Sequence, residues 1–235
     1  MYLFGKPLDS ITEDDIKSLI HNSVRERRSL EYKEALPDNS DNDKREFLAD
    51  VSSFANASGG DLVYGIKEKR DSAGNTTGEP ERIVSLNANP DAETLRLHEL
   101  AQTGIEPRIP GLRIKAVSLG AGGFVLIVGV PKSWAGLHMV TFKNLSRFYS
   151  RNSSGKYQLD VQEIRAGFVA AETGRQKLAS LRIERVTKIV ANEGPVSLAE
   201  GPKAILHLLP MSVLDQTITW DLAPAYTKSP LHSIN

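Results

Sequence analysis

Apolar and polar positions along this chain fall into blocks whose period switches between that of a helix and that of a strand. Ile16, Leu19 and Ile20 recur at helical spacing behind Thr12 as N-cap, with Asp15 at the third helical position and Ile11 placed to meet Ile16. That is the pattern of a capping box with a hydrophobic staple. Ser29 to Glu34 alternates as a half-buried strand, with Leu30 and Tyr32 on one face and Glu31 and Lys33 on the other. After an acidic, Asn/Ser-rich loop from Asp38 to Asp43, the stripe Phe47, Leu48, Val51, Phe54 and Ala55 predicts a second helix. Gly59-Gly60 suits its C-cap, since glycine takes the left-handed conformation cheaply. Leu62 to Ile66 predicts a buried strand, and the polar run from Lys67 to Glu81, with Gly74, Gly78 and Pro80, a flexible loop.

Asn89-Pro90 opens a third helix with proline at its first position, and Gly104 closes it. Leu112 to Leu119 and Phe124 to Val130 predict two strands joined by a hairpin turn at Gly120 to Gly123, and Leu137 to Phe142 with Leu145 to Tyr149 a further pair. Asp160 and Glu163 cap a helix carrying Ile164 and Phe168. After Gly174 the character changes. Residues 175–192 predict another helix, rich in Arg and Lys, and from Pro195 onward Pro202, Pro210, Pro224 and Pro230 surround one apolar run, Ala204 to Leu209. No internal repeat is present. This order predicts an α+β fold with a mixed, largely antiparallel sheet packed with helices. The expected organisation is one domain over 1–172, followed over 173–235 by a helical segment and a Pro-rich extension that reads as the start of a further module.

At 235 residues the chain is long enough to bury a substantial core. Its 29 Lys and Arg against 29 Asp and Glu argue against a DNA-coating protein, which needs a marked basic excess, but leave room for a local basic groove. The absence of cysteine excludes disulfides, thiolate zinc sites and a cysteine nucleophile, and it fits a reducing cytoplasm, the expected location. No run approaches the roughly 18 apolar residues of a membrane span, and MYLFGKPLDS lacks the build of a secretory signal.

The first candidate site is the E-x-K pair Glu31 and Lys33. A strand carboxylate can hold a hard divalent cation while the ammonium faces the same phosphate, which is what phosphodiester hydrolysis requires. On spacing alone such a pair is more often a solvated strand face. Glu26 lies five residues before Glu31, so one uninterrupted strand would send the two to opposite faces, and a bend between them is required for convergence. Otherwise Glu26 pairs with its neighbours in Arg25-Glu26-Arg27-Arg28. The second candidate is basic and aromatic: Lys143, Arg147, Arg151 and Lys156 interleave with Phe142, Phe148, Tyr149 and Tyr157, with Arg25, Arg27 and Arg28 as an extension. Arginines grip phosphates and aromatics stack on bases, although a strand with a basic outer side and core aromatics reads equally well. Neither glycine segment forms a phosphate-binding loop, and no serine-nucleophile elbow occurs. His21, His98, His138, His207 and His232 show no metal-ligand spacing and read as surface or half-buried residues.

Leu30-Glu31-Tyr32-Lys33, the run Phe54-Ala55-Asn56-Ala57-Ser58-Gly59-Gly60-Asp61-Leu62-Val63-Tyr64-Gly65-Ile66, and Tyr149-Ser150-Arg151-Asn152-Ser153-Ser154 together resemble the Schlafen-type, Alba-like domain. The resemblance covers roughly residues 15–155. It implies nucleic-acid binding, with RNA favoured and DNA possible. For nuclease-active members it implies three metal-binding acids, which Glu26, Glu31 and Glu68 match, and a strand lysine, which Lys33 matches. Gly65-Ile66-Lys67-Glu68 stands where Gly-Val-Asp-Asp is usual. The activity implied is Mg²⁺- or Mn²⁺-dependent cleavage of structured RNA such as tRNA. The alternatives are a DNA/RNA-binding or transcriptional regulatory module without catalysis, and a protein-binding scaffold. Schlafen proteins build their cleft from two lobes, which implies a homodimer here. Asn56 matches the Ala-Asn-x-x-Gly-Gly signature, where it is expected to bond local backbone.

Overall fold

Thr12 caps the first helix, α1 (Glu13–His21), with the Asp15 carboxylate accepting from the Thr12 backbone N–H at 2.9 Å, and Ile16 and Leu19 are fully buried beneath it. The structure is a computed structural model and describes residues 6–193 with Gly201, Pro202, Ala204 and Leu206. Most of the Pro-rich extension, including Pro195, Pro210, Pro224 and Pro230, lies outside the described residues. Two compact units divide the chain, one ending at Ala170 and the other beginning at Ala171.

The first unit is α+β. Strand β1 (Leu30–Lys33) leads into α2 (Asp41–Asn56) and returns parallel to itself as β2 (Gly60–Tyr64), a strand–helix–strand crossover. Helix α2 starts inside the expected acidic loop, because the Ser40 hydroxyl accepts the Asp43 N–H at 3.2 Å and caps it. Gly65, at φ +95°, ends β2 and turns the chain out of the sheet into β3 (Ile66–Arg70), so the strand expected over Leu62 to Ile66 is split in two. β3 and β4 (Thr76–Ile83) form an antiparallel hairpin where a flexible loop was expected. The hairpin escapes a hydrophobicity reading because both of its faces are polar. Its ladder is closed by a turn in which Asp71 accepts the Ala73 and Asn75 N–H groups, each at 2.9 Å.

Helix α3 (Pro90–Gly104) is capped by Asn89, whose side chain accepts from Ala92 N–H at 3.0 Å. Strand β5 (Ile105–Glu106) follows, then the hairpin of β6 (Arg113–Ser118) and β7 (Phe124–Val130). β8 (Met139–Val140), β9 (Arg147–Asn152) and β10 (Gly155–Gln158) complete a second sheet in the order β10-β9-β8-β5, while the central sheet runs β1-β2-β7-β6. Phe124, Leu126 and Val128 of β7 with Leu62 and Tyr64 of β2 pack beneath α2 and α3. Val125, Ile127 and Val63 pack against α1 together with Leu30 and Tyr32. The opposite side of β1, bearing Glu31 and Lys33, therefore faces α2. Helix α4 (Val161–Val190), opened by the reciprocal Asp160–Glu163 bonds, runs unbroken through Gly174, so residues 175–192 do not start a separate helix.

Gly60 is required by a close approach. A Cβ there would sit 2.5 Å from the Phe54 ring and 2.7 Å from the Ser29 carbonyl oxygen. Gly60→Ala is expected to cost about 1–3 kcal/mol of stability, read as a lowered urea midpoint at unchanged slope.

Candidate functional site

Glu26 and Glu31 converge because the chain reverses between them. Arg27 and Leu30 exchange backbone hydrogen bonds of 3.0 and 2.9 Å around Arg28 and Ser29, a tight turn that lays Glu26 back along the outer edge of β1. There its Oε1 accepts the Tyr32 N–H at 2.6 Å, and its own N–H donates to the Gly78 carbonyl at 2.6 Å. Gly78 also donates its N–H to Glu68 Oε2 at 3.0 Å. One residue of β4, at φ +72° in the left-handed region, thus ties two of the three acids. Its role could be suspected only once the polar run was known to be a hairpin.

Glu26, Glu31 and Glu68 line one open cavity of about 310 Å³, together with Lys33, Lys67 and Arg70. Burial, with repulsion from Glu68 and Glu31, pushes the Glu26 carboxyl up to about 7 against the pull of the Tyr32 N–H and Lys33. Burial also raises Glu68, with repulsion from Glu31 adding to it. Glu31 is held below the usual carboxylate range: burial works against its charge, but Lys33 and Arg151 outweigh that penalty. Among the described residues no three acids or histidines stand close enough together to form a ready-made metal cluster.

Behind Glu31 the cavity wall becomes an ion network. Lys33 Nζ lies 2.7 Å from Glu31 Oε1, 3.6 Å from Asp50 Oδ2 and 3.9 Å from Glu46 Oε1. Arg151 pairs with Glu31 Oε2, lies 3.8 Å from Asp50 Oδ1 and stacks over the Phe54 ring at 4.1 Å. Lys156 Nζ is 2.8 Å from Asp50 Oδ1 and 2.7 Å from Glu46 Oε1. Three acids and three cations are thereby neutralised, with Arg151 5% and Asp50 1% exposed. Asp50 was missed by sequence reading. The available signal was an acid inside the apolar stripe of α2, three residues after Phe47 and four before Phe54, where it must be paired.

The expected phosphate-binding set divides accordingly. Arg25, Arg27, Arg28, Lys143 and Arg147 are exposed, with Arg25 paired to Glu79 at 3.4 Å and Lys143 paired to Asp41. Arg151 is interior, and its guanidinium is committed to acids. Lys156 is half-buried in the same network, and Tyr149 packs against the core. Asn56 bonds distant backbone, not local: its Nδ2 donates to the carbonyls of His138 (2.9 Å) and Tyr149 (2.8 Å), and its Oδ1 accepts His138 N–H at 2.7 Å, joining α2 to the second sheet. His138, expected at least half-exposed, is fully buried, with Nδ1 against the Pro107 carbonyl at 2.6 Å.

An α+β domain with a charged cleft at the edge of its central sheet is the class these observations define. A family model described as "Schlafen, AlbA_2" matches residues 26–160, more than half of the chain, and the protein belongs to that family. Its role is accordingly nucleic-acid-related. No curated protein matches the chain. Among solved structures it is similar to the DIP2311 protein from Corynebacterium diphtheriae, at 20% identity over 62% of this chain and 29% of that one, with a TM-score of 0.39. It is also similar to the N-terminal domain of the "Putative ATP-dependent DNA Helicase RecG-related Protein" from Nitrosomonas europaea, at 22% identity over 49% of this chain and 72% of that one, with a TM-score of 0.36. The chain thus spans less than a third of the first of these structures. Among the described residues no helix is long and apolar enough to cross a membrane.

Proposed function

We propose that the protein is a divalent-metal-dependent nuclease acting on structured RNA, with tRNA as the first substrate to try. The observation that carries the reading is the meeting of Glu26, Glu31 and Glu68 in one cavity beside Lys33. The donor set is all oxygen, which suits Mg²⁺ or Mn²⁺, and a cation would relieve the repulsion that raises Glu26 and Glu68. Glu26 and Glu68 would swing inward to hold it, with Glu31 kept ionised by Lys33 and Arg151 as the fixed third ligand. When bound, the metal would polarise the phosphate and activate water. Lys33 would offset the charge that builds on the phosphoryl oxygens.

A specific observation favours the alternative, a DNA/RNA-binding or regulatory module without catalysis. Both Glu31 oxygens already have cationic partners, so Glu31 can be explained as part of the ion network alone.

Incubation with labelled tRNA and with single- and double-stranded DNA, in Mg²⁺ or Mn²⁺ and in chelator, separates the two. The nuclease reading expects metal-dependent cleavage that falls at least about 100-fold in Glu31→Gln, with the fold retained. A gel shift indifferent to chelator and to Glu31→Gln, without cleavage, supports the module. In the nuclease reading a second copy supplies the opposite wall of the cleft, and a monomeric mass by light scattering at active concentrations would remove that part.

A further inference from the structure

Lys67 and Arg70, which line the same cavity as the three glutamates, have no role in the site as described so far. A regular strand would place Glu68 and Arg70 on one side and Lys67 and Lys69 on the other. Register shifts in the β3–β4 ladder between Lys67 and Glu68, and again between Glu68 and Arg70, break that alternation. As a result Lys67, Glu68 and Arg70 all reach the cavity, while Lys69 pairs with Glu79.

Neither cation is spent on an acid. The nearest carboxylate to Lys67 is Glu34, at 3.9 Å. Arg70 Nη1 donates to the neutral Gly74 carbonyl at 2.7 Å, and no acid among the described residues lies within ion-pair distance of its guanidinium. Lys33, by contrast, is engaged by three acids. Without Lys67 and Arg70 the cavity would repel a polyanion, because its remaining lysine is already neutralised.

We propose that Lys67 and Arg70 form a phosphate clamp on the β3–β4 hairpin. They grip nucleic-acid backbone phosphates next to the one presented to Glu26, Glu31 and Glu68, so the strand crosses the hairpin at the mouth of the cavity. This deepens the nucleic-acid reading above and rests on it. Arg70 is tethered by its own turn and so presents a preorganised fork, whereas Lys67 supplies a point charge.

The test is fluorescence anisotropy with labelled 20-base-pair RNA and DNA duplexes (roughly two helical turns) in chelator, across a salt series. For Lys67→Gln/Arg70→Gln the affinity should fall at least about tenfold, and the slope of log K against log salt should shrink by about 1.4–1.8, as expected for two lost phosphate contacts. The charge-retaining Lys67→Arg/Arg70→Lys should keep the wild-type slope, and Lys17→Gln, on α1, should change nothing. Thermal melts establish that each variant is folded. Wild-type binding with an unchanged slope in the double glutamine variant overturns the clamp and leaves the nucleic-acid reading intact. Absence of wild-type binding to either duplex at low salt overturns both.

Discussion

Arg151→Ala is expected to lower the unfolding free energy by about 3–5 kcal/mol, seen as a large drop in urea midpoint. The guanidinium is the only cation facing both Glu31 Oε2 and Asp50 Oδ1 from β9, and it covers the Phe54 ring. Its removal leaves two buried carboxylates short of charge and opens a gap over Phe54. Asp50→Ala should cost a similar amount by the converse route, stranding Arg151 and Lys156. Arg151→Ala that folds with wild-type stability but loses nucleic-acid affinity would return Arg151 to the phosphate-binding surface.

Glu26→Gln is expected to stabilise the protein by on the order of 2–3 kcal/mol at pH 8 and to leave it nearly unchanged at pH 4. The sign follows from the raised carboxyl, which moves from an ordinary 4.5 to about 7 on folding. Between those values the native state keeps a proton that the unfolded chain has released, so stability is fully present below 4.5 and is lost as the pH climbs through 7. Glutamine removes the charge and can still accept the Tyr32 N–H. The same variant should lose the rise in melting temperature that Mg²⁺ gives wild type, since a cation can no longer trade against the repulsion. Superimposable pH–stability curves for the two proteins would mean that Glu26 carries no desolvated charge in the cleft.

Capped helices were legible in the sequence because their signals are local: Thr12 with Asp15, Asn89 with Pro90, and Asp160 with Glu163 each fix an end through a bond spanning three residues or fewer. The strand alternation at Leu30 to Lys33 also told which side of β1 is buried. Features that depend on pairing across the chain were not legible. The β3–β4 hairpin has no apolar face to mark it, and Gly78 ties Glu26 and Glu68 only through that hairpin. Arg151 looked like a surface cation because its partners, Glu31 and Asp50, are 120 and 101 residues away. The convergence of Glu26 with Glu31 needed a bend that sequence could demand but not locate; it lies at Arg28-Ser29.

The bond from the Tyr32 N–H to Glu26 has a meaning beyond the cleft. β1 is the last strand on its side of the central sheet, and an unprotected rim of that kind invites strand addition from another chain. A carboxylate seated on the rim's amide is a stop that no incoming backbone can extend without first evicting it. Loss of that acid would therefore leave a sticky border, and aggregation by edge pairing would compete with whatever chemistry the residue serves.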